Sequence, residues 1–401
     1  MISSLEMSRV TRPRKALYGV AIALFWLLIA VCGFRLLSTD SFPEVPAPPP
    51  MPSPNAVDTF HSAAMRLKNN GGIVGLIPAG PKAAPIPILK LRAAVRANRK
   101  ALTEFRQALT MPCQYPVARH PADPMPLYLE EDALAQLVVQ EGKVYEADGN
   151  WRAAADNYLD VYEFGTKVAA HSSLLNGLVG TVLQSIAIGP LSELLNRCDV
   201  ATAAHIAGRL LPLYASRRPS FDLIQEEWYR SICRARTPSR TGKWCDRQQH
   251  LAYCQSLHLQ QKSWEALIAW AKLPLYRRGP APAFETKSDP VRRFLWGPYY
   301  AMAIPLYQSA LQDTDNKQVK TQVTLVKAQI VAYRWRHGVY PKTLAELALP
   351  PEIVTDPYSD ASLIYTPPSA SSGDGKVKVY SVGPNQADNG SSQDDIAPGS
   401  P

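Results

Sequence analysis

The chain has 401 residues, a formal net charge of +9, 46% hydrophobic and 19% charged residues. That balance excludes a chain disordered throughout and leaves room for a sizeable core in two domains. The positive charge does not indicate nucleic acid, because no recognition helix, zinc finger or aromatic RNA-binding signature accompanies it; a basic surface beside an outer leaflet or an acidic wall polymer accounts for it.

Residues 1–15 read as a cytoplasmic basic tail, with Arg9, Arg12, Arg14 and Lys15. From Ala16 to Phe34 no charge occurs, and at about 1.5 Å per residue such a run spans the hydrocarbon core. Residues 16–37 are therefore expected to form a transmembrane helix, with the basic cluster holding the N-terminus inside and the rest of the chain outside the cytoplasmic membrane. A cleaved signal would have a shorter apolar region ending in small residues, unlike Arg35-Leu36-Leu37. A lipoprotein cut before Cys32 would meet Val31 where a small residue is needed. Residues 38–57 form a Pro-rich linker whose run from Phe42 to Pro50 favours extended polyproline and predicts a semi-rigid spacer lifting the folded part off the bilayer.

Residues 58–312 are expected to be a helical domain, repeat-like or an irregular bundle. Leu127, Leu134, Leu137 and Val138, and again Leu191, Leu194 and Leu195, recur at helical intervals. Breaks are predicted at Gly71-Gly72, Pro78 to Pro87, Pro121 to Pro126, Gly189-Pro190 and Gly279 to Pro282. Gly142, Tyr145, Gly149, Trp151, Ala154, Tyr158 and Val161 have a spacing that resembles a tetratricopeptide repeat: small residues let two helices approach, aromatics fill the groove and Gly149 turns the chain. The segment Thr181 to Leu213 offers a further helix pair. A helical hairpin in an irregular bundle explains the same residues.

Outside the membrane, Cys113, Cys198, Cys233, Cys245 and Cys254 are permitted to form disulfides, with one left over. A zinc site is the alternative, since His250, Cys254 and His258 share one helical face and Cys233 or Cys245 would complete a tetrahedron. Familiar hydrolase and metalloprotease motifs are missing, and Pro81 separates Gly80 from Lys82 in the one stretch that approaches a phosphate loop. The paired acids Glu130-Glu131 and Glu226-Glu227 read as solvated helix faces. Arg292-Arg293 with Trp296 and Tyr299-Tyr300 offers either a site for an acidic or sugar ligand or interhelical packing.

The C-terminal part carries Tyr333-Arg334, Gly338 and Tyr340-Pro341, then Leu344 to Leu349, Asp356-Pro357, Leu363 to Tyr365, and Lys376 to Gly383. An Asp-rich end follows, with Asn385, Asp388-Asn389-Gly390 and Asp394-Asp395-Ile396. Together these resemble the C-terminal domain of major pseudopilins of type II secretion systems, over residues 316–401. The resemblance implies a small α+β domain, stacking of subunits into a filament, and a calcium ion held in the terminal loop at positions matching Asn385, Asp388, Asp394 and Asp395. Their oxygens suit a hard cation; a solvated tail is the plain reading of the same composition. The helix before the loop is expected to present one apolar stripe, Val319, Val323, Val326, Ile330 and Tyr333, and Lys376 to Tyr380 alternates as a half-buried strand should. The prepilin-peptidase glycine and glutamate of that family do not follow the basic cluster, and a large helical domain intervenes before the C-terminal domain, which argues against the same filament. The expectation is a mainly α, membrane-anchored scaffold or adaptor with envelope protein partners and no nucleic acid, linked to a secretion or pilus-like assembly. The runner-up is an envelope hydrolase or carbohydrate-binding enzyme.

Overall fold

The computed structural model describes residues 22, 24–26, 42–68, 86–117, 119, 128–170, 173–237, 244–282, 303–368, 377–392 and 394–398. Ten helices are named here in chain order: α1 Ala56–Met65, α2 Ile88–Ala97, α3 Arg99–Leu109, α4 Tyr128–Ala147, α5 Trp151–Ala169, α6 Leu174–Leu194, α7 Val200–Ala215, α8 Ser220–Arg236, α9 Trp244–Ala271 and α10 Ala303–His337. Two short strands, β1 Ile364–Thr366 and β2 Lys378–Tyr380, follow. The protein is mainly α, as its apolar spacing predicts.

The α4–α5 hairpin turns as its residues dictate. Gly149 takes φ +73°, a left-handed conformation open to glycine, and the Asn150 side chain caps α5 by accepting from the Ala153 amide. A Cβ on Gly142 would stand 2.5 Å from the Tyr158 ring, so the missing side chain is what admits that fully buried aromatic. α5 meets α6 still more closely, since a Cβ on Gly180 would lie 2.4 Å from the Gly165 carbonyl oxygen. Beside this crossing Phe60 is tilted against Phe105 and Phe164, which meet each other edge-on, with centroids 4.5 to 5.7 Å apart.

The break expected at Gly189-Pro190 is absent. α6 continues through Pro190 to Leu194, because Ile188, Leu191 and Leu194 are buried and their packing outweighs the one hydrogen bond that proline deletes. α6 is also long and apolar enough to cross a membrane, but half of that window is buried inside the protein and it serves as a core helix. Of the expected anchor at 16–37, only Ile22 and Leu24 to Trp26 are described; they are helical and exposed.

Phe42 to Pro50 is not a free spacer. The Arg236 guanidinium donates to the carbonyls of Phe42 at 3.1 Å and Pro43 at 2.9 Å, and Arg119, paired with Glu226 at 2.9 Å, donates to the Pro46 carbonyl. Phe42 and Val45 pack against the buried cluster of α8 and α9 that includes Trp228 and Trp264. Its apolar side chains and its backbone carbonyls are what the body binds, so this proline segment lies along it.

The expected boundary at 312–316 falls inside α10, which runs unbroken from Ala303 to His337. From Thr321 to Ala328 every residue is buried, where one apolar stripe was expected. α10 is the central helix of a core that extends from Ala56 to Ile396. It packs on α7 and α6 on one side and on β2 on the other. Gln322 joins the two: its side-chain oxygen accepts from Tyr214 of α7 at 3.1 Å, while its amide donates to the Ile353 and Thr355 carbonyls at 3.0 and 2.7 Å. Gly338, φ +72°, ends the helix.

Candidate functional site

The C-terminal strands set the frame for the Asp-rich loop. β1 and β2 pair antiparallel with Tyr365 opposite Val379, and a further bridge joins Ser381 to Ile396, closing the loop at its base. Asp356 fastens that base from below. It is fully buried; one carboxylate oxygen accepts from the Ser381 hydroxyl at 2.7 Å and the Tyr358 amide at 2.9 Å, the other from the Val382 amide at 2.8 Å. Gly383, φ +66°, follows, and a Cβ there would sit 1.9 Å from the Asp394 carbonyl oxygen. Only glycine lets the two arms of the loop cross so closely.

Within the loop the matched side chains are engaged with the backbone. Asn385 Oδ1 accepts from the Ala387 amide at 2.9 Å and Asp388 Oδ1 from the Gly390 amide at 2.9 Å, which are Asx turns. Asp388 also accepts from the Tyr380 hydroxyl at 2.9 Å; burial, then this hydrogen bond, pushes the phenol up to about 12. Asp395 is buried, its Oδ2 accepting from the Asn389 and Ser391 amides at 3.0 and 2.7 Å. Its Oδ1 is buried with no hydrogen-bond partner among the described residues. Asp394 is exposed. The fold thus orders the loop with one carboxylate oxygen inward and unsatisfied, an atom type that suits a hard cation. Among the described residues, however, no three acids, histidines or cysteines are gathered to hold a metal. Asp388 and Asp395 both bear on the Tyr380 hydroxyl, and Asn385 donates from Nδ2 to Asn389 Oδ1 at 2.8 Å.

The cysteine region resolves differently. Cys113, Cys198, Cys233 and Cys254 form no disulfide among the described residues. Burial raises Cys198 to about 11 and Cys113 to about 12, so both are inert core groups. α9 does carry His250, Cys254 and His258 on helix, but the Cys254 thiol is buried and directed to the Ala235 carbonyl at 3.4 Å. Cys245 and the two histidine side chains lie outside the described residues, as do Gly75 to Lys82, Arg292-Arg293, Trp296 and Tyr299-Tyr300.

Three of the paired acids depart from the solvated role expected of them. Glu226 and Glu227 pair with Arg119 and Arg230, their side chains only 16% and 13% exposed. Glu131 is fully buried. Its Oε1 accepts from the Tyr115 hydroxyl at 2.8 Å and lies 3.0 Å from His61 Nε2, while its Oε2 is buried without a hydrogen-bond partner among the described residues. The sequence placed it on a solvated face, although Glu131 lies three, four and seven residues before Leu134, Ala135 and Val138 and so shares their apolar face. No family model, curated protein or solved structure matches the chain.

Proposed function

We propose that this protein is a single-pass membrane scaffold or adaptor, N-terminus inside, whose helical body and C-terminal module stand outside the cytoplasmic membrane and hold envelope proteins of a secretion or pilus-like assembly. The observation that carries the reading is the shared core along α10: Gln322, Tyr214 and the Ile353 and Thr355 carbonyls weld the C-terminal module to the helical body. A rigid body on an apolar tether suits holding partners in place, and a module buried along its own helix is ill placed to stack as a filament subunit. Calcium at the terminal loop belongs to this proposal, with Asp395 and Asp388 as ligands; the ion would supply the positive charge that the inward carboxylate lacks.

A reporter active only outside the cytoplasm, fused after Pro54, should be active; activity of a cytoplasmic reporter alone at that junction overturns the topology. In-cell crosslinking of the full chain followed by membrane solubilisation should then recover envelope proteins in defined ratio. The second reading, an envelope hydrolase or carbohydrate-binding enzyme, is favoured by Glu131, a buried carboxylate with a spare oxygen beside His61. Turnover of cell-wall polysaccharide that is lost in a folded Glu131→Gln variant would establish it instead.

A further inference from the structure

We propose that the C-terminal tip of α8 is the face this protein turns toward the membrane, where it meets anionic lipid headgroups; the inference rests on the anchor reading above. The bound proline segment supplies the geometry. Phe42 and Pro43 are held by Arg236, in the last turn of α8, and Pro46 by Arg119, whose partner Glu226 lies ten residues earlier in the same helix. Ten residues of helix rise about 15 Å, and the four residues from Phe42 to Pro46 extended as polyproline cover about 12 Å. The segment therefore runs antiparallel to α8, and its membrane-proximal end is at the α8 tip. Between Leu37, the last residue of the expected span, and Phe42 are five residue steps, which at about 3.4 Å each reach no more than about 17 Å. A free spacer would let the body tumble; a clamped one leaves this tip beside the headgroups.

The tip has the matching charge. Arg234 and Arg236 are exposed there, as is Arg230, which pairs with Glu227 at 3.4 Å. Arg234 lies over the Tyr253 ring, 5.0 Å from its centroid, and has no carboxylate partner among the described residues. Cations within a Debye length of an anionic leaflet are each attracted appreciably. The opposite pole is also fixed. Tyr307 of α10 is 5.3 Å from Trp264, which stacks on Trp228 at 5.5 Å, while Gln318 donates to the Arg218 carbonyl before α8 begins. α8 thus runs antiparallel to α10 and its tip points away from His337. Val339, 63% exposed beyond that end, is at least about 45 Å along the α10 axis from Tyr307, 30 residues at about 1.5 Å.

The test uses the full chain in vesicles containing an anionic lipid and headgroup-labelled acceptors, with a fluorescent noncanonical side chain at Arg230 or, separately, at Val339. Retention of the chain through an alkaline wash reads the anchor alone, and its loss overturns both the anchor and this inference. With the chain retained, energy transfer from position 230 should exceed that from 339 several-fold. It should fall when zwitterionic lipid replaces the anionic lipid and in Arg234→Glu. Equal transfer from the two positions overturns the orientation while leaving the anchor intact. Transfer indifferent to lipid charge and to Arg234→Glu overturns the headgroup contact.

Discussion

Gly180 shows how much one absent side chain determines. Its neighbours at the α5–α6 crossing include the Gly165 carbonyl oxygen and the Ala169 amide nitrogen, which a Cβ would approach to 2.4 and 2.8 Å. Backbone does not rotate aside as a side-chain end does, so Gly180→Ala must part the helices; we expect a loss of about 1–3 kcal/mol, read as a lower urea midpoint. A loss under a few tenths would mean that the crossing is looser than described. Asp160 sets a pH dependence on the partner helix α5. Burial, opposed by Arg209 at 3.1 Å, pushes its carboxyl up to about 6 from 3.8. A carboxyl raised in the folded state binds its proton more tightly there, so its contribution is fully present below pH 3.8 and is lost as pH rises through about 6. Asp160→Asn should therefore flatten the fall in stability between those values, and an unchanged slope in urea melts across that window would refute the assignment.

At the scale of elements, the terminal loop depends on the Asp356 anchor. Asp356→Ala would leave the buried Val382 amide and Ser381 hydroxyl without their acceptor, at a cost of about 1–3 kcal/mol for each group stranded. Hydrogen exchange should report it first at Ser381 and Ile396, whose amides close the loop, and continued protection there would show that the bridge stands without the aspartate. Calcium acts on the same element. If it fills the place beside Asp395 Oδ1, full-chain melting rises with free calcium, by about 2.7 kcal/mol at a hundredfold above Kd, and Asp395→Asn abolishes the rise. A rise that survives Asp395→Asn together with Asp388→Asn places the ion elsewhere, and no rise at millimolar calcium returns the loop to its Asx turns and backbone bridges alone.

For the whole molecule, α10 contributes to both buried clusters, Leu311 to that of α8 and α9 and Val319 to Ile330 to the main core, and so predicts one cooperative transition. Trp228 and Trp264 report the α8–α9 end, whereas Tyr365 and Tyr380 report the strand pair. Because α10 is buried between α7 and β2, the two signals should melt together. Separate midpoints would mean that the C-terminal module folds by itself. By the same physics, a fragment beginning near Asn316 would expose Val319, Leu325 and Lys327, which the helical body covers; Lys327 would also lose its 3.1 Å bond to the Ser192 carbonyl.

The apolar spacing alone determined the helices, since Leu134, Leu137 and Val138 face inward wherever α4 packs; the turns at Gly149 and Gly338 were equally local, because a left-handed residue favours glycine whatever surrounds it. The alternation around Val379 likewise marked β2. Tertiary structure decided the rest, because burial depends on what arrives from elsewhere in the chain. Pro190 stayed helical because its neighbours are core. Glu131 went inside because Tyr115 and His61 came to meet it. Asp388 and Asp395 drew together at Tyr380, and the proline run became a clamp because Arg236 and Arg119, nearly two hundred and just over seventy residues away in sequence, offered donors to its carbonyls.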